Sequence, residues 1–432
     1  MIEKKYFNEF AYLILALLIV FFLSTHSPNI EYDAFTYIKS DSIRPLIYPL
    51  FIWLFHWAGS YQFSLLMWVQ GILLFSALLY ARNWLKINLK LSDFSIFIVC
   101  LLVILTISFR FQIWFIQSEG LAFPFFIWTF FLLIECFNGV NLKKLFYLSL
   151  WVSILVLTRL QFYYFYGMFG ILCIWYVWQR TSIKLVCMGT SILFGSMLLT
   201  ILIDHSYHYY KHGFFAGAPY GGLMILVQTI YLADSDAFKY FQDPIKKAYV
   251  KTMLDQRDAK QLNRDVNLLT TMKPSYYEYA YQSYSRNYLS IQSIIGGTLK
   301  TSIENTLGKV TNYQSDSLSI DINNTILSHE AKKNLFFFLW KFVKCMGGIP
   351  LFLFFVILLC ALLYRIVKDK MREVDLSTIF VMVVTIITFL NAAIIAGCNP
   401  DIPVYFCYSQ FMFYCLAAFF VTKTSDVIVD QN

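Results

Sequence analysis

Residues 120–137 read GLAFPFFIWTFFLLIECF, an apolar run in which Glu135 is the single charged residue. A helix needs about 20 such residues to cross the roughly 30 Å hydrocarbon core of a bilayer, so this run predicts a membrane-spanning helix. Nine further runs of similar composition lie at 10–24, 61–80, 94–109, 145–157, 161–178, 185–203, 349–364, 379–396 and 404–421. The sequence therefore predicts an all-α polytopic membrane protein with ten transmembrane helices.

The overall composition points to the same class. Of the 432 residues, 59% are hydrophobic and 14% are charged, and the mean hydropathy is +0.60. A soluble domain carries about 25% charged residues. These values exclude a soluble enzyme, a nucleic-acid-binding protein and a disordered chain. The nine cysteines include no CxxC pair, which argues against a zinc knuckle or a disulfide framework.

Basic residues are concentrated in alternate connections between the apolar runs, which accounts for the net charge of +8 without a polyanionic partner. The positive-inside rule places these connections and both termini in the cytoplasm. Asp33, Glu119, Arg159 and the segment 204–344 then lie on the outer side. We interpret the first run as a retained span rather than a signal peptide, because it is long and no small-residue cleavage pattern follows it. The basic residues are Lys4, Lys5, Arg82, Lys86, Lys90, Lys143, Lys144, Arg180, Lys184, Arg365, Lys368, Lys370, Arg372 and Lys423.

The chain divides into a seven-span module (1–203), an extracytoplasmic helical cap (204–346) and a three-span module with a cytoplasmic tail (347–432). The first outer loop, residues 27–56, predicts helices lying along the membrane interface. In the cap, the run 243–264 predicts a polar helix. The apolar stretch 223–232 is too short to span and predicts an element dipping into the interface. Five cap tyrosines favour an aromatic belt over a carbohydrate-stacking surface; they are Tyr276, Tyr277, Tyr279, Tyr281 and Tyr284.

Ionisable groups cluster in the first outer loop, where residues 32–37 read YDAFTY and residues 40–50 read SDSIRPLIYPL. Asp33, Tyr37, Asp41, Arg44 and Tyr48 are the chemically notable side chains in these two stretches. Charges at a membrane face are costly to keep and mark a candidate site.

This spacing resembles the first outer loop of the GT-C glycosyltransferases, polytopic enzymes that use polyprenyl-phosphate sugars. The pair Ser118-Glu119 is similar to the Thr/Ser-Glu pair that opens the fourth helix in such enzymes, and Thr158-Arg159 is similar to the Thr-Arg pair that closes the fifth span. The resemblance is to the dolichyl-phosphate-mannose mannosyltransferase and aminoarabinose transferase type, and it covers roughly the first 160 residues.

The resemblance implies a polyprenyl-phosphate sugar donor and an acceptor that is a lipopolysaccharide or another glycolipid, a polysaccharide or a protein. Two positions depart from the family pattern. Val404, before Tyr405, stands where many relatives carry an arginine, and Ala34 follows Asp33 where some relatives carry a second carboxylate. We retain Tyr405 as a candidate substrate-binding residue, together with Tyr37, Asp41 and Tyr48.

The residue types also suggest a mechanism. An acceptor hydroxyl is a poor nucleophile near neutral pH, and Asp33 is the candidate general base that accepts its proton. Arginines fit the charge of a leaving phosphate, and Arg44, Arg159 and Arg110 are the candidates in that order. Direct attack without a covalent intermediate would invert the anomeric carbon.

Each assignment has a structural alternative. Asp33 is also consistent with a cap of an interfacial helix, and Arg110 and Arg159 with cations that extend from helix ends to water. Glu119, the second catalytic candidate, fits a charge at the positive end of the fourth helix as well as a role in acceptor orientation or metal binding.

Three histidines, His205, His208 and His212, follow Asp204 at helical spacing. They are candidates for a divalent metal site, since histidine and aspartate suit zinc or manganese. The alternative is an aromatic exit helix at the lipid interface. No other cofactor is indicated.

Two other functions remain open at this point. A polysaccharide polymerase or ligase acting on a lipid-linked oligosaccharide would carry paired arginine-rich outer loops, whereas this chain has a single large loop. A lipid or solute transporter would show inverted repeats and charges in mid-span. The Phe-, Tyr- and Lys-rich composition favours a bacterial inner membrane, with the site facing the periplasm.

Overall fold

The computed structural model of the chain describes residues 2–111, 113–263, 266, 274–307, 311–368, 374–400 and 402–430. Within these ranges the fold is helical, and the β-structure amounts to one parallel bridge between Asn29 and Phe115. The predicted all-α class is confirmed. Arg264, Lys370 and Arg372, which belong to predicted features, lie outside the described residues.

The α-helices follow one another along the chain with short connections. The first nine are α1 (Ile2–Thr25), α2 (Tyr32–Ile38), α3 (Ile47–Leu54), α4 (Gln62–Asn88), α5 (Asp93–Val103), α6 (Phe109–Phe111), α7 (Glu119–Phe137), α8 (Leu142–Thr158) and α9 (Tyr164–Trp178). The others are α10 (Ile183–His212), α11 (Gly221–Leu232), α12 (Pro244–Ala259), α13 (Pro274–Leu307), α14 (Asn312–Cys345), α15 (Ile349–Lys368), α16 (Leu376–Cys398) and α17 (Cys407–Asp430).

Among the described residues, 7 helices are long and apolar enough to cross a membrane, which indicates a multi-pass membrane protein. They are His56–Asn88, Glu119–Phe137, Leu160–Trp178, Ile183–His212, Ile349–Lys368, Leu376–Cys398 and Pro403–Ser425. The other three predicted spans fall on the apolar segments Glu9–Thr25 and Asp93–Ser108 and on α8, a helix of 17 residues. The membrane class is therefore confirmed, while the number ten stays a prediction.

Polar side chains set several helix starts. Ser92 accepts a hydrogen bond from the Ser95 amide ahead of α5, and Asn141 accepts one from Lys144 ahead of α8. Such caps satisfy amide groups that the first helical turn leaves without a partner. The predicted first outer loop does contain two short helices, α2 and α3, and their interfacial position stays a prediction.

Contacts between residues divide the chain into two compact units. Unit 1 comprises residues 1–207, 355–391 and 404–432. Its central helix is α7, which packs against α4 and α8 and has most of its residues buried. Phe123, Phe126, Phe130 and Phe131 of α7 are fully buried. Aromatic side chains of this size bury large areas and dominate the packing of a core.

Unit 2 comprises residues 208–354 and 392–403, and so contains most of the predicted cap. Its core is built around α11, where Leu226, Val227 and Ile230 are fully buried. The apolar stretch 223–232 supplies part of the core of this unit, which accounts for its composition without contact with lipid. Its predicted position at the membrane interface stays a prediction. A short apolar helix has the same composition in either place, so its length could not distinguish them.

Three of the five cap tyrosines are core residues rather than a belt. Tyr277, Tyr281 and Tyr284 are buried on one face of α13, whereas Tyr279 is 57% exposed. Their spacing of four and three residues places them on one side of a helix. Tyr231 from α11 reaches the same face and donates to the Ala280 carbonyl (2.6 Å).

The adjacent glycines of α11 give a matched test of this packing. A Cβ on Gly222 would lie 2.6 Å from the Asp316 carbonyl oxygen of α14, whereas a Cβ on Gly221 would have open space. We expect Gly222→Ala to lower the free energy of unfolding by about 1–3 kcal/mol, because backbone must move. Gly221→Ala should be neutral within about 0.5 kcal/mol or slightly stabilising. Denaturation of both variants in detergent measures this, and equal effects would contradict the packing.

Candidate active site

The candidate residues of unit 1 are brought to one end of its helices. α7 begins at Glu119 and its antiparallel neighbour α8 ends at Thr158, so Glu119 and Arg159 lie at the same end. The bridge between Asn29 and Phe115 fastens the first outer loop to the segment that precedes α7. Residues far apart in sequence therefore meet in one cluster.

Arg44 holds the first outer loop together. Its Nη2 forms an ion pair with Asp33 Oδ1, its Nε donates to Thr36 Oγ1 (2.7 Å) and its Nη1 donates to Tyr37 Oη (3.1 Å). The guanidinium also lies over the Tyr37 ring, 4.3 Å from its centroid. Asp33 lies inside the first turn of α2, where no side chain caps the helix. Its carboxylate therefore pairs with Arg44 rather than capping α2.

A chain of hydrogen bonds leads from this loop to α7 and α8. Tyr37 Oη donates to Ser118 Oγ (2.8 Å), and Ser118 Oγ donates to Glu119 Oε2 (3.2 Å). Arg159 Nη1 donates to Ser118 Oγ (3.4 Å), and the same guanidinium group forms an ion pair with Glu119 Oε1. Asp33, Arg44, Tyr37, Glu119 and Arg159 thus belong to one continuous network.

The two carboxylates of this network differ in accessibility. The Asp33 side chain is 56% exposed, whereas the Glu119 side chain is 6% exposed and is engaged on both oxygens. A substrate hydroxyl can approach Asp33, and Glu119 is covered by its partners. Glu119 also begins α7, so it lies at the positive end of the helix dipole.

Arg159 is held from several directions. Its Nε donates to Gln161 Oε1 (3.0 Å), and its guanidinium lies over the Tyr405 ring, 4.7 Å from the centroid. Burial acts to lower the pKa of Arg159, whereas the negative charges around it, Glu119 first, act to raise it. The raising effect is the larger, so the pKa of Arg159 lies well above its ordinary value. The guanidinium is therefore a permanent positive charge in a fixed place.

Tyr48, a predicted substrate-binding residue, lies beneath the network. It is fully buried, its Oη donates to Gln70 Oε1 (2.9 Å) and its ring packs edge-on against Tyr37. Burial raises the pKa of Tyr48 well above 10, so the phenol stays a donor. Tyr48 has no exposed surface for a substrate and instead supports Tyr37. Gly120 is explained by the same contact, because a Cβ there would collide with the Gln70 amide.

The remaining predicted residues of this region are Asp41 and Arg110. Asp41 Oδ1 accepts from the Ile43 amide (3.3 Å) and from Ser42 Oγ (3.4 Å), which is the local turn chemistry of an aspartate. Arg110 lies on α6 with an exposed side chain. Its exposure agrees with a cation that reaches water.

The three histidines lie on α10, as their spacing predicts. His208 is fully buried and stacks on Phe214, and His212 lies beside both rings. In the part of the chain that the structure describes, no group of three or more His, Cys, Asp or Glu side chains is arranged to hold a metal ion.

The structure also adds residues to which the sequence assigns no role. Ser118 and Thr36 connect the arginines to the loop, and Gln161 and Asn391 lie behind Arg159. Asn391 had a usable signal, since an amide inside the apolar run 379–396 needs a partner in the bundle. Gln161 had none, because glutamine at the end of a span is unremarkable.

Comparison with known protein families, with curated proteins and with solved structures gives no match to this chain.

Proposed function

We propose that the protein is a GT-C-type glycosyltransferase that moves a sugar from a polyprenyl-phosphate donor to an acceptor hydroxyl. The observation that carries the proposal is the network of Asp33, Arg44, Tyr37, Glu119 and Arg159. In it the accessible carboxylate of Asp33 is paired with the Arg44 guanidinium, which is connected through Tyr37 and Ser118 to a second fixed guanidinium, that of Arg159. An exposed base next to preorganised positive charge is what transfer from a lipid phosphate requires.

In the proposed reaction Asp33 accepts the proton of the acceptor hydroxyl as its oxygen bonds to the anomeric carbon. The bond from that carbon to the phosphate oxygen breaks on the opposite face, and its electron pair leaves with the polyprenyl phosphate. A single displacement of this kind inverts the anomeric configuration. Asp33 fits the role by its exposure of 56% and its position at the edge of the network.

Arg44 and Arg159 stabilise the phosphate as its charge develops. Both are largely buried, at 17% and 13% side-chain exposure, so their charges are screened little by water. Guanidinium groups fit phosphate oxygens in a bidentate geometry that an ammonium does not provide. Glu119 then acts as a positioning residue that fixes Arg159, because its own oxygens are covered.

The proposed site faces the outside of the cell. The basic residues of the connections after α4, α7 and α9 lie at the ends of helices opposite to the Glu119 end of α7. By the positive-inside rule those connections and both termini are cytoplasmic and the network is extracytoplasmic. The Phe-, Tyr- and Lys-rich composition supports a bacterial inner membrane as the location. The donor reaches it from the lipid, and the acceptor is a glycolipid such as lipopolysaccharide, a polysaccharide or a protein.

Purified protein in liposomes, given a panel of radiolabelled polyprenyl-phosphate sugars and membrane extract, tests the proposal. We expect label to move from at least one donor to an extract component, with release of polyprenyl phosphate. Repeating the assay after chelation, with manganese or magnesium restored, decides whether a divalent metal contributes. A well-folded protein that consumes no donor would contradict the proposed function.

A further inference from the structure

Two buried amides lie directly behind Arg159 in unit 1. Gln161 follows Arg159 in the short helical turn Leu160–Tyr163 and is 9% exposed, and Asn391 lies in α16 and is fully buried. Burying an amide costs free energy unless each polar atom finds a partner. Both amides are bonded, to each other and to the elements that carry Arg159 and Tyr405.

The charge of Arg159 fixes the direction of every bond in this pair. Arginine donates and cannot accept, so the Gln161 oxygen must face the Arg159 Nε (3.0 Å). The Gln161 Nε2 then donates to Asn391 Oδ1 (2.6 Å), which leaves the Asn391 Nδ2 to donate in its turn to Ser409 Oγ (3.0 Å). One arrangement of the two amides satisfies all of these partners.

The same pair holds the backbone of Tyr405. The Tyr405 carbonyl accepts from Gln161 Nε2 (3.0 Å) and from Asn391 Nδ2 (3.3 Å). Tyr405 lies in the turn Pro403–Phe406, just before α17, and its ring covers the Arg159 guanidinium. Gln161 and Asn391 therefore set where the charge lies and where the ring above it lies.

We propose that Gln161 and Asn391 are a positioning pair that fixes Arg159 and Tyr405 for recognition of the donor phosphate. This inference rests on the proposed function, since it assigns the pair to the phosphate side of that site. Gln161 contacts Arg159 directly, Asn391 acts through Gln161 and the Tyr405 carbonyl, and neither contacts the reacting atoms. Its removal should weaken the binding of donor phosphate and leave the handling of the acceptor intact.

The test is a kinetic comparison of wild type with Gln161→Met, a change of similar length that removes every hydrogen bond. We expect the KM for the donor to rise about 10-fold or more, with the KM for the acceptor unchanged within about twofold. Inhibition by polyprenyl phosphate without a sugar should weaken by the same factor. Adding Gln161→Met to Arg159→Lys should cost less than about twofold more, because both changes act through one group.

Two further variants separate positioning from folding. Gln161→Glu keeps an acceptor for Arg159 and removes the donor to Asn391 and Tyr405. It should raise the donor KM, but less than Gln161→Met does, and it replaces Gln161→Met as the test if that variant folds poorly. Asn391→Leu should raise donor KM. Asn323→Leu is the matched control, because Asn323 of unit 2 is also buried, at 3% exposure, and donates to the Gly222 carbonyl (2.9 Å). The control should lower stability and leave donor KM unchanged.

The outcomes distinguish the two proposals. If the wild type transfers sugar and the folded Gln161 and Asn391 variants have the same donor KM as the wild type, the positioning pair is overturned and the proposed function is not. Additive losses in the double variant would do the same. Wild type that transfers sugar from no donor would overturn the proposed function and the pair with it.

Discussion

Asp33→Asn should lower kcat by about two orders of magnitude or more. The change keeps the size of the side chain and removes the group that accepts the acceptor's proton. Because the amide oxygen of the substituted side chain can still accept from Arg44, we expect the donor KM to change by less than about threefold. Initial rates of sugar transfer over a range of donor concentrations measure both quantities.

The control for this prediction is an equivalent change at an exposed carboxylate elsewhere. Asp236 is 59% exposed and pairs with Lys239 on the surface of unit 2. Asp236→Asn should keep kcat within about twofold, as surface pairs of this kind contribute little. Full activity in a folded Asp33→Asn protein would show that Asp33 is structural and would remove the proposed base.

Glu119→Leu is expected to be the most destabilising single change in the network. It leaves the Arg159 charge buried without its carboxylate, and breaking a buried pair in this way costs about 3–5 kcal/mol. Transfer activity should fall with it. Chemical denaturation of the purified protein in detergent measures the loss of stability.

The double variant Glu119→Leu, Arg159→Met separates charge from shape. Replacing both partners by apolar side chains removes the unpaired charge, so most of the lost stability should return. Activity should not recover with the stability, because the guanidinium proposed for the donor phosphate is gone. Asp255→Ala, at the exposed Lys251–Asp255 pair, is the comparison and should cost less than about 1 kcal/mol. A double variant no more stable than Glu119→Leu would contradict the role of the pair.

Much of the fold follows from the sequence, since apolar runs become helices whatever their neighbours. The start of α7 at Glu119 and the end of α8 at Thr158 agree closely with the boundaries of the runs 120–137 and 145–157. The sequence was less informative where apolar residues pack against protein. The stretch 223–232 and three of the cap tyrosines became the core of unit 2, because hydrophobicity alone does not distinguish a protein partner from a lipid one.

The candidate site shows the same limit at the level of single residues. Spacing and charge selected Asp33, Tyr37, Arg44, Glu119 and Arg159, and the structure brings all five into one network. Tyr48 had the same sequence signal but lies buried against Gln70, a residue of α4. Contacts between elements far apart in the sequence decide whether such a tyrosine is buried or accessible, and a single sequence does not show which elements are in contact.

The stereochemistry of a single transfer tests the central proposal most directly. A donor of known anomeric configuration, labelled with ¹³C at the anomeric carbon, is incubated with wild-type protein and an acceptor found in the transfer assay, and the product is examined by NMR. We expect a product whose anomeric configuration is the inverse of the donor's, together with one free polyprenyl phosphate for each sugar moved. Retention of configuration, or a folded protein that forms no product, would contradict the proposal.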